Sequence, residues 1–206
     1  MYKLLGRQTS GNVQKVLFML EEIGAKYRRE DYGRLFENTQ TAEYKALNPT
    51  SKVPTLVDGD TAIWESNTIL RYLSASNGNA LNGATPAERS EIERWMDFLL
   101  AAVNPGYMTA FKGAKLTPEE RTAEYKDGVK DLAAQMQIID SHLAGKEYLA
   151  LGKLTIADIA CAPILKRCVD FKIDRPAMPN LERWIATIAK RSAFQTATDA
   201  AATKAA

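Results

Sequence analysis

Hydroxyl and amide side chains crowd one junction near the start of the sequence. The stretch "LGRQTSGNVQKVL" at residues 5–17 sets Thr9, Ser10 and Asn12 between an apolar run and an amphipathic one, with no Cys, His or Tyr among them. Such neutral groups can do two things. Each can accept a first-turn N–H and so cap a helix, or meet a charged atom of a ligand with a strong hydrogen bond. The residues alone leave both readings open. "WESNTILRYL" at 64–73 poses the same choice. Glu65 and Ser66 either cap a helix, the acid favoured there by the dipole, or offer a carboxylate, a hydroxyl and a helix N-terminus to a ligand. "LTIADIACAP" at 154–163 contains Thr155 and Asp158, a capping box before an apolar run, and that spacing reads as structural.

Other reactive side chains are few. His142 is the single histidine and has no ligand cluster around it, so no metal site is expected. Cys161 and Cys168 stand seven residues apart in an apolar helical pattern. Two turns separate them, too far for a disulfide, so they read as buried free thiols. The chain of 206 residues is 46% hydrophobic, enough for a packed core, and carries 27 basic against 25 acidic residues, well mixed. No basic stripe is dense enough for nucleic-acid binding, which excludes that class of partner. The opening "MYKLLGRQTS" lacks the apolar core of a signal peptide, and no stretch could span a bilayer. A soluble, cytoplasmic protein with no membrane partner is expected.

The elements that must position these residues follow from periodicity. "YKLL" is a short strand, and Val13, Val16, Leu17, Leu20 and Ile23 recur at helical spacing until Gly24. "YRRED" (27–31) is a second strand, a short helix falls near "TAEYKAL", and "VPTLVDGDTAIW" (53–64) is a hairpin about "DGD". "ESNTILRYLSAS" (65–76) is a helix. The Gly, Asn and Pro of "NGNALNGATPAE" read as a linker, so the domains are 1–77, a linker 78–88 and an all-helical 89–206. In the helical part Ile92, Trp95, Met96, Leu99, Leu100 and Val103 form one stripe, and Asn104-Pro105-Gly106 should kink or end that helix. Another helix is expected from about Pro118, and "LTIADIACAPILKRCV" should be a central buried one kinked at Pro163. "MPNLERWIATIAKRSAF" gives one more helix, and the tail "TATDAAATKAA" carries too little apolar mass to pack firmly. Trp95 and Trp184 are expected in the core. The fold class is thus an α/β N-terminal domain, βαβ–ββα, followed by an all-α domain.

This order resembles the glutathione S-transferase family, whose members join a thioredoxin-like domain to a helical one. "TSGNVQKVLFMLEEIGAKY", "LNPTSKVPTLVDG", "WESNTILRYL" and "LTIADIACAP" carry the likeness, in that order and spread over nearly the whole chain. The likeness is strongest to bacterial enzymes with a serine-type, theta-like N-terminus, because no Tyr occupies the first loop.

The resemblance implies an enzyme that activates the thiol of glutathione for attack on small hydrophobic electrophiles, without a metal and as a homodimer. A free thiol has a pKa of roughly 8.5. One hydrogen bond to the thiolate, worth about 1.5–3 kcal/mol, lowers that by one to two units, so a hydroxyl serves without a general base. The family's position for that donor falls on Ser10, with Asn12 and Thr9 as rivals. Pro54 matches the family's cis proline, which would turn Val53 outward to pair with the ligand backbone. Glu65 would meet the ligand's ammonium and Ser66 its α-carboxylate. Lys52 would assist at the far carboxylate. Around Thr39 and Gln40 the family often has His or Lys, absent here, and Gln40 is a neutral substitute. Tyr107, Phe111 and Gln8 are candidates for the electrophile pocket. Two further readings stay open: glutathione-dependent disulfide or peroxide reduction, and a non-catalytic binding protein of the same fold.

Overall fold

The computed structural model describes residues 1–199. Contacts divide them into two units, one of residues 1–82 together with the chain from 189 onward, the other of residues 83–188.

In the first unit β1 (Tyr2–Leu5), α1 (Gly11–Glu22) and β2 (Tyr27–Glu30) form a βαβ unit, followed by α2 (Ala42–Leu47), β3 (Thr55–Asp58), β4 (Thr61–Trp64) and α3 (Ser66–Ser76). The sheet order is β2-β1-β3-β4, with β1 parallel to β2 and antiparallel to β3, and β3 antiparallel to β4. α1 buries Val13, Val16, Leu17, Phe18, Met19 and Leu20, and it stops at Gly24, which takes the left-handed φ of 62°. α3 packs on α1 through the buried Ile69, Leu70 and Leu73.

The second unit holds α4 (Pro86–Phe98), a π-helical turn (Leu99–Val103), α5 (Asn104–Gly113), α6 (Ala123–His142), α7 (Ile156–Asp170) and most of α8 (Pro179–Ala189). Its core includes Ile92, Met96, Val103, Leu132, Met136, Leu143, Cys168 and Trp184, all at most 1% exposed. Among the described residues no helix is long and apolar enough to cross a membrane.

Several expectations are corrected. The linker is shorter than 78–88, because Thr85 caps α4 through Glu88 N–H (3.2 Å) and Pro86 takes the first helical position. α6 starts at Ala123 rather than near Pro118. Pro118 opens only a 3-10 turn, and Thr122 supplies the cap that α6 uses, accepting from Tyr125 N–H at 3.2 Å. Pro105 does not end its helix. The chain widens into the π turn just before it, which accommodates a ring that would otherwise strike the carbonyl of Ala101. The extra residue in that turn shifts the stripe, so Leu100 is exposed; Trp95, in the regular helix before the turn, is only half-buried. The last expected helix is two, α8 and α9 (Ser192–Thr198), and α9 packs on α1 within the first unit. Phe194 meets Phe18 edge-on at 5.2 Å, and Arg191 makes a paired ion contact with Glu22 (2.5 and 2.8 Å). Residues 196–198 of the supposed tail therefore belong to α9, while its residues 200–206 lie outside the described residues.

Candidate functional site

Strand register gathers the candidate residues. Leu5 is the Cα partner of Glu30 on one side and Thr55 on the other, and Thr55 is the partner of Trp64. Glu30, Leu5, Thr55 and Trp64 thus form one row across the sheet, about 14 Å wide at the usual strand spacing. The chain beyond that row is, strand by strand, 31–33, 6–10, 53–54 and 65–66. Ser10, Val53, Pro54, Glu65 and Ser66 therefore all emerge from the same end of one sheet.

Glycine lets two of these segments approach. A Cβ on Gly6 would lie 2.5 Å from Val13 Cγ2 and 3.4 Å from Val53 Cβ, so the end of β1, the start of α1 and the Val53 loop close on a bare backbone. The Val53–Pro54 bond is cis. Among the described residues Val53 joins no strand ladder and no backbone hydrogen bond. The flanking segment is fixed by a network. Buried Tyr44 donates to the Lys52 carbonyl (2.6 Å), with its oxygen 2.9 Å from Thr55 Oγ1, and Asn48 Nδ2 donates to the same two oxygens at 2.9 and 3.0 Å. Burial pushes the Tyr44 phenol above its ordinary value, so it stays a neutral donor. The Lys52 side chain is exposed, as is Gln40, which sits just before the α2 cap Thr41.

The two helix starts at this end differ from others in the chain. α2, α4 and α6 are each capped by a threonine hydroxyl accepting a backbone N–H. α1 and α3 have no such bond. Ser10 occupies the cap position of α1 with extended backbone (φ −82°, ψ 125°); its carbonyl accepts from Gln14 N–H at 2.9 Å, but its buried side chain caps nothing. Thr9 and Asn12 beside it are exposed. Glu65 precedes α3 with a φ of 65°, a left-handed conformation that costs a non-glycine residue of order 1 kcal/mol or more, and its carboxylate is exposed and makes no cap. Ser66 is buried at the first position of α3. The arrangement offers a hydroxyl and two helix N-termini to negative charge, a free backbone edge at Val53, and a carboxylate for a cation.

Gln8 is used differently from the electrophile contact expected. It is buried, and its amide donates to the carbonyls of Thr196 (2.9 Å) and Asp199 (2.8 Å), closing the C-terminal end of α9. Tyr107 and Phe111 lie in the second unit with ring centroids 6.0 Å apart. Tyr107 is buried, stacks on Phe171 at 5.9 Å and accepts a hydrogen bond from Arg167 at 3.3 Å. Sequence reasoning passed over Phe171, Tyr44, Asn48 and Arg7. Arg7 was quoted in the first loop but not weighed; its guanidinium lies 2.9 Å from where a Cβ on Gly33 would stand, with Val53 Cγ1 3.4 Å from the same point. Asn48 stood in "LNPTSKVPTLVDG", where an amide four residues before Lys52 is a usable signal for a turn. Both cysteines are buried and free, and burial pushes the Cys168 thiol up to about 12. Among the described residues no group of three or more His, Cys, Asp or Glu could hold a metal ion.

A thioredoxin-like sheet followed along the chain by a helical unit is the architecture of a transferase-type two-domain fold. The glutathione S-transferase N-terminal domain family matches residues 9–76 and the glutathione S-transferase C-terminal domain family residues 103–192. Glutathione S-transferase GstB of Escherichia coli K12 is 35% identical over 200 residues, covering 95% of this chain and 96% of that protein. The glutathione-bound theta class glutathione S-transferase from the citrus canker pathogen Xanthomonas axonopodis pv. citri superposes with a TM-score of 0.89 at 35% identity, over 96% of each chain. Elongation factor 1-gamma 1 of Oryza sativa subsp. japonica is 32% identical over 154 residues, 72% of this chain but only 36% of that protein. The chain belongs to the glutathione S-transferase family.

Proposed function

We propose that this protein is a glutathione transferase that holds glutathione along the row of loop ends and activates its thiol through Ser10. The observation that carries the reading is the Ser10 hydroxyl, on a residue only 9% exposed, which stands at a helix start without capping it. Its hydrogen bond to a thiolate, with the α1 N-terminus adding in the same direction, lowers the thiol pKa by one to two units. Val53 N–H and C=O pair with the cysteinyl backbone, Pro54 keeps that edge presented, Glu65 meets the ammonium and Ser66 the α-carboxylate. Lys52, and Gln40 more weakly, serve the glycyl carboxylate. Catalysis is then positioning and charge stabilisation, with the nucleophile supplied by the ligand. The cluster of Tyr107, Phe111 and Phe171 rings in the second unit has the chemistry to meet a small hydrophobic electrophile. A cytoplasmic homodimer is part of the same proposal and rests on the family. Disulfide or peroxide reduction, if present, runs through glutathione itself, because the protein's own thiols are buried.

The test is a pH profile of conjugation to an aromatic halide. Ser10→Ala should raise the apparent pKa of bound glutathione by one to two units while glutathione affinity changes less than about threefold. If Ser10→Ala follows wild type and Asn12→Ala or Thr9→Ala shifts instead, the donor is reassigned. No retention on immobilised glutathione and no thermal shift with it would refute the enzymatic reading.

A further inference from the structure

Tyr44 on α2 is 2% exposed, and its two ends reach different loops of the candidate site. The hydroxyl donates to the Lys52 carbonyl at 2.6 Å. The ring stacks on Tyr32, with centroids 5.1 Å apart and planes at 25°. Tyr32 in turn anchors the first loop. Its carbonyl accepts from Arg7 N–H at 3.2 Å, and the Arg7 carbonyl accepts from Ser10 N–H at 3.1 Å. One side chain therefore braces both the Val53 segment and the Ser10 loop.

The proton positions around the hydroxyl follow from what each group can donate. Asn48 Oδ1 accepts from Thr50 N–H (3.0 Å) and Thr50 Oγ1 (2.7 Å), so Nδ2 is the end that faces Lys52 and Thr55. The Lys52 carbonyl can only accept, so the Tyr44 proton goes to it. With that proton on Lys52, the 2.9 Å contact between Tyr44 and Thr55 is a bond donated by the Thr55 hydroxyl. The network is closed, and the Lys52 oxygen is held by two donors at once. The Lys52–Val53 peptide is planar and trans, so its N–H points opposite to its carbonyl. Two donors on the oxygen thus fix the direction of the Val53 N–H, away from the network.

We propose, on the basis of the glutathione site described above, that Tyr44 is a positioning residue: its hydroxyl sets the Val53 N–H against the cysteinyl backbone of the ligand, and through it the sulfur against the Ser10 hydroxyl. Without the hydroxyl the Lys52 oxygen keeps one donor, Asn48, and the peptide can rock about the chain axis. A displaced sulfur loses part of its bond to Ser10 together with its line of attack.

The experiment compares Tyr44→Phe with Thr55→Val in the full chain. Both variants break bonds of the same buried network, but Thr55→Val leaves both donors on the Lys52 oxygen. Conjugation of glutathione to an aromatic halide is followed as a function of pH. Tyr44→Phe should raise the apparent thiol pKa by about half a unit and lower kcat/KM about tenfold. Thr55→Val should lower the urea midpoint comparably, with the thiol pKa within about 0.2 of wild type. In a Ser10→Ala background Tyr44→Phe should no longer move the pKa, because the bond it aligns is gone. An equal pKa shift in both variants, no shift in Tyr44→Phe, or full additivity with Ser10→Ala each overturns the proposal. So does a Tyr44→Phe chain that does not fold by circular dichroism, since the hydroxyl would then be a requirement of the fold. Retention on immobilised glutathione separates the two levels. With retention and the Ser10→Ala shift both observed, an unshifted Tyr44→Phe refutes the positioning role alone; no retention of the wild type refutes the site and the role together.

Discussion

Asp158 is the place where one atom change should be most costly. It is fully buried at the start of α7 and both carboxylate oxygens are saturated. Oδ1 accepts from Leu149 N–H at 2.9 Å and Trp184 Nε1–H at 3.0 Å; Oδ2 accepts from Thr155 N–H at 2.9 Å and Thr155 Oγ1 at 3.1 Å. Burial pushes this carboxyl above its ordinary range, and the four donors pull it back only in part. Asp158→Asn turns one acceptor into a donor. If the new NH2 faces Leu149 and Trp184, two donors that cannot accept are stranded. If it faces Thr155, the hydroxyl can rotate to accept and only the Thr155 N–H is stranded, so this orientation wins. One orphaned buried N–H costs about 1–3 kcal/mol, and the remaining bonds lose their charge assistance, offset in part by relief of a buried charge. The expected loss is about 2–4 kcal/mol. Urea unfolding followed by far-UV circular dichroism measures it, with glutathione retention of the folded fraction unchanged. Asp158→Ala strands three N–H donors and takes the partner of the Thr155 hydroxyl, so it should cost clearly more or leave no folded protein. A loss below about 1 kcal/mol for Asp158→Asn, or an equal loss for both variants, would refute the reasoning.

Glu65→Ala should weaken glutathione binding about 10- to 100-fold by calorimetry, the worth of one charge-assisted contact, with unfolding free energy within about 0.5 kcal/mol of wild type; unchanged affinity would remove Glu65 from the site. Cys168 gives a pH signature: burial raises its thiol to about 12, so the folded state keeps a proton that the unfolded chain releases above its ordinary value, and the associated stability is present below that value and lost as pH rises toward 12. Stability should therefore fall more steeply in wild type than in Cys168→Ala, by about 1.4 kcal/mol per pH unit above roughly 8.5, in urea titrations at pH 8 to 10. Gln8→Ala frees the carbonyls of Thr196 and Asp199, and should lower stability by about 1–3 kcal/mol and speed amide exchange in α9; a changed KM for the electrophile at unchanged stability would restore Gln8 to the substrate pocket.

The periodic stretches of the chain were legible because burial has a period. The α1 face from Val13 to Leu20 and the α6 face from Val129 to Leu143 are both apolar at helical spacing and buried. Misreadings fell where period stops deciding. The π turn at Leu99–Val103 inserts a residue into the stripe and turns Leu100 outward, and nothing local except Pro105 announces it. Pro118 and Thr122 both signal a helix start, and propensity could not rank them. α9 is only seven residues with a single large apolar side chain, Phe194, and it is held by partners far back in the chain: Phe18, Glu22 and Gln8. At the candidate site the residue types were visible, but the row that unites them is a matter of strand register. Tyr44, Asn48 and Thr55 looked like loop and strand filler, yet Tyr44 and Asn48 hold the Lys52 carbonyl and the Thr55 hydroxyl on either side of Val53 and Pro54 in the chain.

The contrast between helix starts is what supports the ligand role proposed for Ser10 in the first loop. A serine in the cap position gains about 1 kcal/mol by accepting a first-turn N–H, and the extended backbone of Ser10 is the conformation in which that bond is available. The same fold makes this bond with Thr41, Thr85 and Thr122, so the chain does not lack the means. Leaving it unmade at α1, and leaving Glu65 in a left-handed conformation at α3, gives up stability at the two helix starts that share one end of the sheet. A ligand that is anionic at both places would recover that loss on binding, since its charges would take the donors that no side chain takes. The sacrifice is local, paired and matched to the charges of glutathione, and a purely structural role for Ser10 and Glu65 accounts for none of those three features.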